Sequence, residues 1–246
     1  LAVASSAAHL GCSTARTLGL TVYFALMLAT SFLNGGYFYD FTEQLFACWL
    51  VYCAVTRRWG LFAVLLLLPM QMNKETALLM IFFVAPLIGS WRDRALLVKG
   101  GFLLALCVAI LVTLWTVHAG APGGVAEWHL PANVAFWRDP QSWLTASDML
   151  ASGVPLPRMT YLLLPVFGVI MALRTGVTPL FRTVLVAVAV LGPLMLLLGY
   201  RDEFRALNLA LPLLVSAIAA TGRDLASTGP RSEEHTSELQ SLTTIS

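Results

Sequence analysis

The stretch ALLVKGGFLLALCVAILVTLWTVH, residues 95–118, carries a single charged residue, Lys99, close to its beginning. An apolar run of this length can cross the hydrocarbon core of a bilayer as an α-helix. The whole chain is similar in character, with 58% hydrophobic and 11% charged residues, against about 25% charged residues in an ordinary soluble domain. The composition predicts an all-α fold, a polytopic transmembrane helical bundle. The net charge of +2 is too small to indicate a nucleic-acid partner.

Two of the apolar segments are too short to cross a bilayer singly. At 1.5 Å per residue, 60–71 spans roughly 18 Å and 76–90 roughly 22 Å, against about 30 Å of hydrocarbon. We therefore predict a hairpin at 60–90 whose tip, residues 72–75, lies below the outer surface and lines an outward-opening cavity, because non-helical backbone at membrane depth must be buried in protein or meet water. In all, about eight hydrophobic segments are predicted, at 18–34, 41–56, 60–71, 76–90, 95–118, 159–174, 179–199 and 204–221.

Lysine and arginine in short loops indicate the orientation of such a bundle. If each segment crosses once, the side assigned to the cytoplasm holds nine basic residues, namely Arg16, Arg57, Arg58, Arg92, Arg94, Lys99, Arg174, Arg182 and Arg223. The other side holds five basic and eight acidic residues together with the long connection 119–158. Within that connection, Asp139-Pro140 predicts an N-cap and a short helix of about 140–151 that lies on the membrane or covers the cavity. The pattern predicts a multi-pass membrane protein.

The two ends of the chain differ from the rest. The chain opens on Leu1 without a basic-then-apolar signal pattern, so we expect its natural start to lie upstream. The stretch RSEEHTSELQSLTTIS, 231–246, has no hydrophobic periodicity and closely resembles the read-through translation of a common sequencing-library adapter. A solvated polar tail is the alternative. We therefore predict one integral membrane domain over 1–230 and treat 231–246 as an artefactual unstructured tail.

Three polar motifs stand at the beginning of segments that run from outside to inside: YDFTE (39–43), NKET (73–76) and YRDEFR (200–205). Helix N-termini carry partial positive charge and unpaired N–H groups, which together can hold an anion such as phosphate. Carboxylates beside them can act as bases or as oxygen ligands for a divalent cation. The candidate catalytic residues are Asp40, Glu75 and Glu203. The candidate phosphate-binding residues are Asn73, Lys74, Arg201 and Arg205.

Each motif also has a purely structural interpretation. Asp40 with Glu43 matches a capping box, which requires no function. Lys74 can extend to the interface or pair with Glu75, and the charges at 200–205 can form a solvated loop. Ionisable groups at membrane depth are rare and usually functional, which favours a shared site. The four cysteines show no CxxC spacing and are predicted to be small buried hydrophobes, so no metal ligands are assigned.

Two stretches bear a family resemblance. YDFTEQLFACWLVYCAVTRRWGLFAVLLLLPMQMNKETALLM (39–80) and GYRDEFRALNLALPLL (199–214) resemble segments of bacterial polytopic membrane proteins, mostly uncharacterised, whose plan resembles the C-superfamily glycosyltransferases. The resemblance covers about a quarter of the chain. It implies a polyprenyl-phosphate-linked sugar as donor, cations such as Lys74 and Arg205 at its phosphate, and an acid that activates the acceptor hydroxyl. In those enzymes this acid typically lies in the first outer loop, near the N-terminus, so Asp40 is here a substitute candidate.

The sequence leaves three functions open. The first is a glycosyltransferase that uses a lipid-phosphate-linked sugar at the outer membrane face. The second is a transporter or flippase for an anionic lipid or solute, which uses the same helix N-termini for binding without chemistry. The third is a structural membrane protein in which the polar motifs only cap and pair. A membrane lipid is an expected partner in each case.

Overall fold

The computed structural model describes residues 1–31, 38–70, 79–81, 94–117, 128–145, 157–174, 176–199 and 204–227. Within these ranges the chain is helical and contains no β-strand, so the predicted all-α class is confirmed. The elements in chain order are α1 (Ala2–His9), α2 (Thr14–Ser31), α3 (Phe38–Val55), α4 (Trp59–Met70), α5 (Arg94–Val117), α6 (Leu130–Arg138), α7 (Pro140–Leu144), α8 (Thr160–Leu173), α9 (Pro179–Leu198), a 3₁₀ helix (Phe204–Ala210) and α10 (Leu211–Ser227).

The predicted apolar segments coincide with described helices in seven of eight cases. Of the eighth, 76–90, only residues 79–81 are described; they are helical, and Met80 and Ile81 are buried. The predicted hairpin tip at 72–75 and the tail at 231–246 lie outside the described residues. α1 was not predicted because its residues, AVASSAAH, are small rather than strongly apolar. It nevertheless packs against α2, α3 and α10 and buries Ala2, Val3 and Ala7.

α10 is the central helix of the described bundle. It contacts α1, α2, α3, α8 and α9, and every residue from 208 to 219 is buried. The buried part of α10 is built mainly from apolar and small side chains, with Ser216 as its one polar residue up to 219. The 3₁₀ helix precedes it directly. Pro212 is the second residue of α10, a position in the first helical turn where the missing N–H of proline costs no intrahelical hydrogen bond.

α5 occupies the opposite kind of position. It packs against α4, yet only 11% of its apolar window Leu97–Val117 is buried. Phe102 is 71% exposed and Trp115 56% exposed. This window and Pro179–Leu198, which is α9, are the two described helices long and apolar enough to cross a membrane. Shorter apolar helices accompany them at Thr14–Ala29, Phe41–Val55, Trp59–Leu68, Leu162–Leu173 and Leu207–Thr221.

The connection before α8 contains the helix that the Asp139-Pro140 pair predicts. Asp139 is the N-cap of α7, its Oδ1 accepts a hydrogen bond from Gln141 N at 3.0 Å, and Pro140 is the first helical residue. α7 ends at Leu144 rather than continuing to 151; residues 146–156 are outside the described part of the chain. α6, directly before it, was not predicted.

Candidate functional site

The structure describes only some of the candidate residues. Asn73, Lys74, Glu75, Arg201 and Glu203 lie outside the described residues, so the structure neither brings them together nor separates them.

Asp40 and Arg205 are placed by their backbone. α3 begins at Phe38, two residues before Asp40, so the prediction that Asp40 caps a helix beginning at 41 is wrong. Asp40 is the third residue of α3 instead. Arg205 is the second residue of the 3₁₀ helix.

The 3₁₀ helix links the third polar motif to the rest of the bundle. It begins at Phe204, inside the YRDEFR motif, and contacts α2, α3, α9 and α10. Because it contacts α3, the 3₁₀ helix that begins within YRDEFR packs against the helix that carries YDFTE. The two motifs therefore belong to one packed group of helices, although they are far apart in sequence.

α6 attaches to the C-terminal end of α9. Asn133, which is 1% exposed, donates from Nδ2 to the carbonyl oxygens of Leu196 at 2.9 Å and Gly199 at 2.8 Å. The backbone N–H of His129 donates to the carbonyl of Leu197 at 2.9 Å. The last carbonyls of a helix lack intrahelical donors, and these three bonds satisfy them. The described part of the long connection thus lies at the end of α9 that the YRDEFR motif follows in sequence.

Asn133→Leu is expected to lower the free energy of unfolding by about 2 kcal/mol, because two carbonyls lose a buried donor. Thermal unfolding of the detergent-solubilised protein measures the loss. Gln141→Leu is the matched control, since Gln141 has an exposed side chain on the neighbouring α7. Equal melting temperatures for the two variants would mean that the attachment of α6 to α9 contributes little stability.

Arg158 connects α6 and α7 to the residues before α8. It is 4% exposed. Its Nη1 donates to Thr145 Oγ1 at 2.7 Å and to the Ser142 carbonyl at 3.3 Å, and its guanidinium lies 5.0 Å from the centre of the Phe136 ring. These contacts hold α6, α7 and the residues before α8 together as one unit, which we call the connection unit (residues 128–145 and 157–159).

A cavity lies between α8 and α9, with α2, α10 and the 3₁₀ helix behind it. Its volume is about 90 Å³. The only polar residue among those that line it is Asn208, which is 5% exposed and whose Nδ2 has no hydrogen-bond partner. The lining residues are Met27, Leu162, Pro165, Val169, Val184, Val188, Leu207, Asn208, Ala210, Leu211 and Leu214.

Neither metal ligands nor disulfides contribute to a site in the described part of the chain. No group of three His, Cys, Asp or Glu side chains there could hold a metal ion. All four cysteines are free thiols; Cys48, Cys53 and Cys107 are buried as predicted, while Cys12 is half-buried.

Comparisons of the chain with models of protein families, with curated proteins and with solved structures found no match.

The interpretation of the sequence missed Asn133, Arg158 and Asn208. Asn208 stands inside the quoted stretch GYRDEFRALNLALPLL, where it is the one uncharged polar residue after Arg205 in an otherwise apolar run. That isolation was a usable signal, because an amide in an apolar segment needs a hydrogen-bond partner. Asn133 and Arg158 lie in the loop-rich connection, where polar residues are ordinary and give no such signal.

Proposed function

We propose that the chain is a multi-pass protein of the bacterial inner membrane that transfers a sugar from a lipid-phosphate donor at the outer membrane face. The observation that carries the proposal is the attachment of the connection unit to α9. Asn133 binds the Gly199 carbonyl, and the 3₁₀ helix begins at Phe204. Residues 200–203 are polar and connect the covered C-terminal end of α9 to the 3₁₀ helix, which enters the bundle core. This connection is a suitable place for a charged substrate group.

The apolar surface of the described helices supports the membrane part of the proposal. Large apolar side chains are exposed along α2, α4, α5, α8 and α9. Soluble monomers rarely expose contiguous apolar patches beyond a few hundred Å², whereas a lipid environment carries no such limit. On this reading the shorter apolar helices cross together with α5 and α9, and the bundle has about eight membrane segments.

The proposed reaction is a displacement at the anomeric carbon of the donor sugar. The acceptor hydroxyl oxygen forms a bond to that carbon, the bond from the carbon to the phosphate oxygen breaks, and the lipid phosphate leaves with the bonding electrons. The acceptor proton passes to a carboxylate, for which Glu75, Asp40 and Glu203 are the candidates. Lys74, Arg201 and Arg205 would stabilise the charge of the donor phosphate, with Asn73 beside them. A divalent cation is compatible with the same set.

Lys74→Ala is expected to reduce sugar transfer from a polyprenyl-phosphate-linked donor by at least tenfold, because a phosphate contact of full charge is lost. Transfer is measured with protein reconstituted into lipid vesicles, using radiolabelled donor. Lys99→Ala is the control, since Lys99 is exposed on α5 and is one of the basic residues that the loop charges assign to the cytoplasmic side.

Two outcomes would contradict the proposal. Equal transfer by the Lys74→Ala and Lys99→Ala proteins would remove Lys74 from the site. Movement of the labelled lipid between leaflets without any transferred sugar would instead support a flippase.

A further inference from the structure

The turn between α3 and α4 holds two neighbouring arginines in a defined geometry. Arg58 N donates to the Cys53 carbonyl at 2.7 Å, and Arg57 N donates to the Ala54 carbonyl at 3.0 Å. These two bonds form a Schellman motif, in which the residue in the left-handed conformation is usually glycine. Here that residue is Arg57, with φ at 59°. An arginine therefore stands at a position where glycine would cost less.

The two arginines present positive charge at the surface of the protein. Both Arg57 and Arg58 are exposed, and the sequence contains no acidic residue between Glu43 and Glu75 that could neutralise them locally. Two adjacent guanidinium groups suit an anion with several oxygens, such as a phosphate, because each can donate charge-assisted hydrogen bonds.

An aromatic ring positions one of the two guanidinium groups. The Arg58 guanidinium lies 5.6 Å from the centre of the Tyr52 ring, a distance at which a cation is attracted to the face of the ring. Trp49 packs edge-on against the same ring, with the two ring centroids 5.6 Å apart. The Arg58 side chain is thus held against α3, and less of its conformational freedom is lost when it binds an anion.

An exposed apolar strip on α4 begins beside this turn. Leu61, Val64 and Leu68 follow one face of the helix and are 43%, 56% and 43% exposed. α4 has 12 residues and is therefore about 18 Å long, close to half of the roughly 30 Å hydrocarbon core of a bilayer. The surface thus presents two cations, followed by hydrocarbon contacts over about the depth of one leaflet.

The expected position of the turn in the membrane agrees with this order. Arg57 and Arg58 belong to the basic residues on the side that the loop charges assign to the cytoplasm. The cytoplasmic leaflet contains anionic lipids, which attract basic segments beside membrane helices. The proposed sugar donor would bind at the opposite side, so the transfer reaction does not explain the arginine turn.

We propose that Arg57 and Arg58 bind the phosphate of an anionic phospholipid of the cytoplasmic leaflet, with an acyl chain along Leu61, Val64 and Leu68. The proposal rests on the membrane part of the function proposed above and does not depend on sugar transfer. The structural alternative is that the two cations only interact with the carbonyl end of α3. That alternative does not require an arginine at the left-handed position, where glycine is favoured.

Native mass spectrometry of the full chain in detergent tests lipid binding. The probe is dioleoylphosphatidylglycerol, and the comparison lipid is dioleoylphosphatidylcholine, which has the same phosphate and acyl chains but no net charge. Phosphatidylglycerol is expected to bind at least about tenfold more tightly, because the arginines repel the choline cation of the other headgroup. Inorganic phosphate and glycerol phosphate should not displace the lipid at about a hundredfold excess, because they lack acyl chains.

Two variants and one control separate the arginine turn from general surface charge. Arg58→Gln is expected to weaken binding of phosphatidylglycerol about tenfold, because charge-assisted hydrogen bonds are lost. Arg57→Gly is expected to weaken it to a similar extent without lowering the melting temperature, because glycine is the usual residue at this position of the motif. Arg174→Gln is the matched control, since Arg174 is an exposed arginine of the same assigned side at the end of α8. Its affinity for the lipid should equal that of the unmodified protein.

Equal affinity for the two lipids would overturn the proposal, and so would equal binding by the Arg58→Gln and Arg174→Gln proteins. Displacement by inorganic phosphate or glycerol phosphate would indicate a site for free phosphate and would overturn the choice of a lipid. A lower melting temperature of Arg57→Gly and Arg58→Gln with unchanged lipid affinity would overturn the proposal in favour of the structural alternative.

The same measurements distinguish this site from the proposed transferase. Selective binding of phosphatidylglycerol by a protein that transfers no sugar would leave the arginine site standing and remove the transferase function. Sugar transfer by a protein that does not distinguish the two lipids would do the reverse.

Discussion

Gly168→Ala is expected to lower the free energy of unfolding by about 2–3 kcal/mol, as overpacking in a tight core typically does. A Cβ at position 168 of α8 would overlap the hydroxyl of Tyr23 and would lie 2.9 Å from Leu214 Cδ2. The tyrosine cannot move aside without loss, because its hydroxyl donates to the Leu164 carbonyl. Gly168 is therefore a point of close approach between α8 and side chains of both α2 and α10.

A double-mutant cycle with Tyr23→Phe tests this cause. Tyr23→Phe alone should cost about 1 kcal/mol for the lost hydrogen bond. In that background Gly168→Ala should cost at least about 1 kcal/mol less than in the unmodified protein, because the overlapping hydroxyl is gone and only Leu214 must shift. Denaturant unfolding in detergent, followed by tryptophan fluorescence, gives the four free energies.

Gly192→Ala is the control for the effect of alanine itself. Nothing lies within 4 Å of the Cβ that it would add to α9, so it should stabilise the helix by about 0.5–1 kcal/mol. If Gly168→Ala also stabilises the protein, or if the cycle shows no coupling with Tyr23, the close approach of α8 to α2 does not limit the packing.

The positions of the long helices could be predicted from the sequence because an apolar run is a local property. Segment 179–199 matches α9 (Pro179–Leu198), and 95–118 matches α5 (Arg94–Val117). α1 and α6 were not predicted because neither contains an apolar run of that kind. α1 packs through small side chains and α6 through the amide of Asn133, and neither feature forms a hydrophobic pattern.

The arrangement of the helices could not be predicted in this way. The sequence gives α5 the longest uninterrupted apolar run, yet α5 is peripheral, and the shorter α10, which contains Ser216 and Thr221, is central. In a water-soluble protein, it would be unfavourable to place the more apolar helix α5 at the periphery and α10 at the centre. In a lipid phase apolar side chains gain little by leaving the solvent, and packing of small and polar groups decides which helix is inside. The arrangement therefore agrees with the proposed membrane environment.

The candidate site was less accessible to prediction than the fold. The polar motifs identified which helix ends were unusual, but the start predicted for α3 at 41 was three residues too late, because Phe38 and Tyr39 already belong to the helix. The unpaired amide of Asn208 depends on what surrounds it in three dimensions. It becomes visible only when α8, α9 and α10 are packed around the 3₁₀ helix.

Glu75→Gln is expected to reduce the turnover of sugar transfer about 10²–10⁴-fold, the usual loss when a general base is removed. Glutamine keeps the size and most hydrogen-bonding capacity of the side chain, so donor binding and the concentration for half-maximal rate should change little. The measurement is a single-turnover transfer assay in vesicles, paired with a donor-binding assay on the same preparations. This separation of turnover from binding is the signature of a group that acts on the reacting hydroxyl rather than on the donor phosphate.

Asp139→Asn is the matched control for the loss of one outer negative charge. Asp139 caps α7, and asparagine is an equally good N-cap, so helix and attachment should persist. If Glu75→Gln transfers sugar as fast as this control while Asp40→Asn is inactive, the base is Asp40. If all three variants bind the donor and none differs from the unmodified protein in rate, the carboxylates serve binding or packing, and the transporter becomes the better account of the three polar motifs.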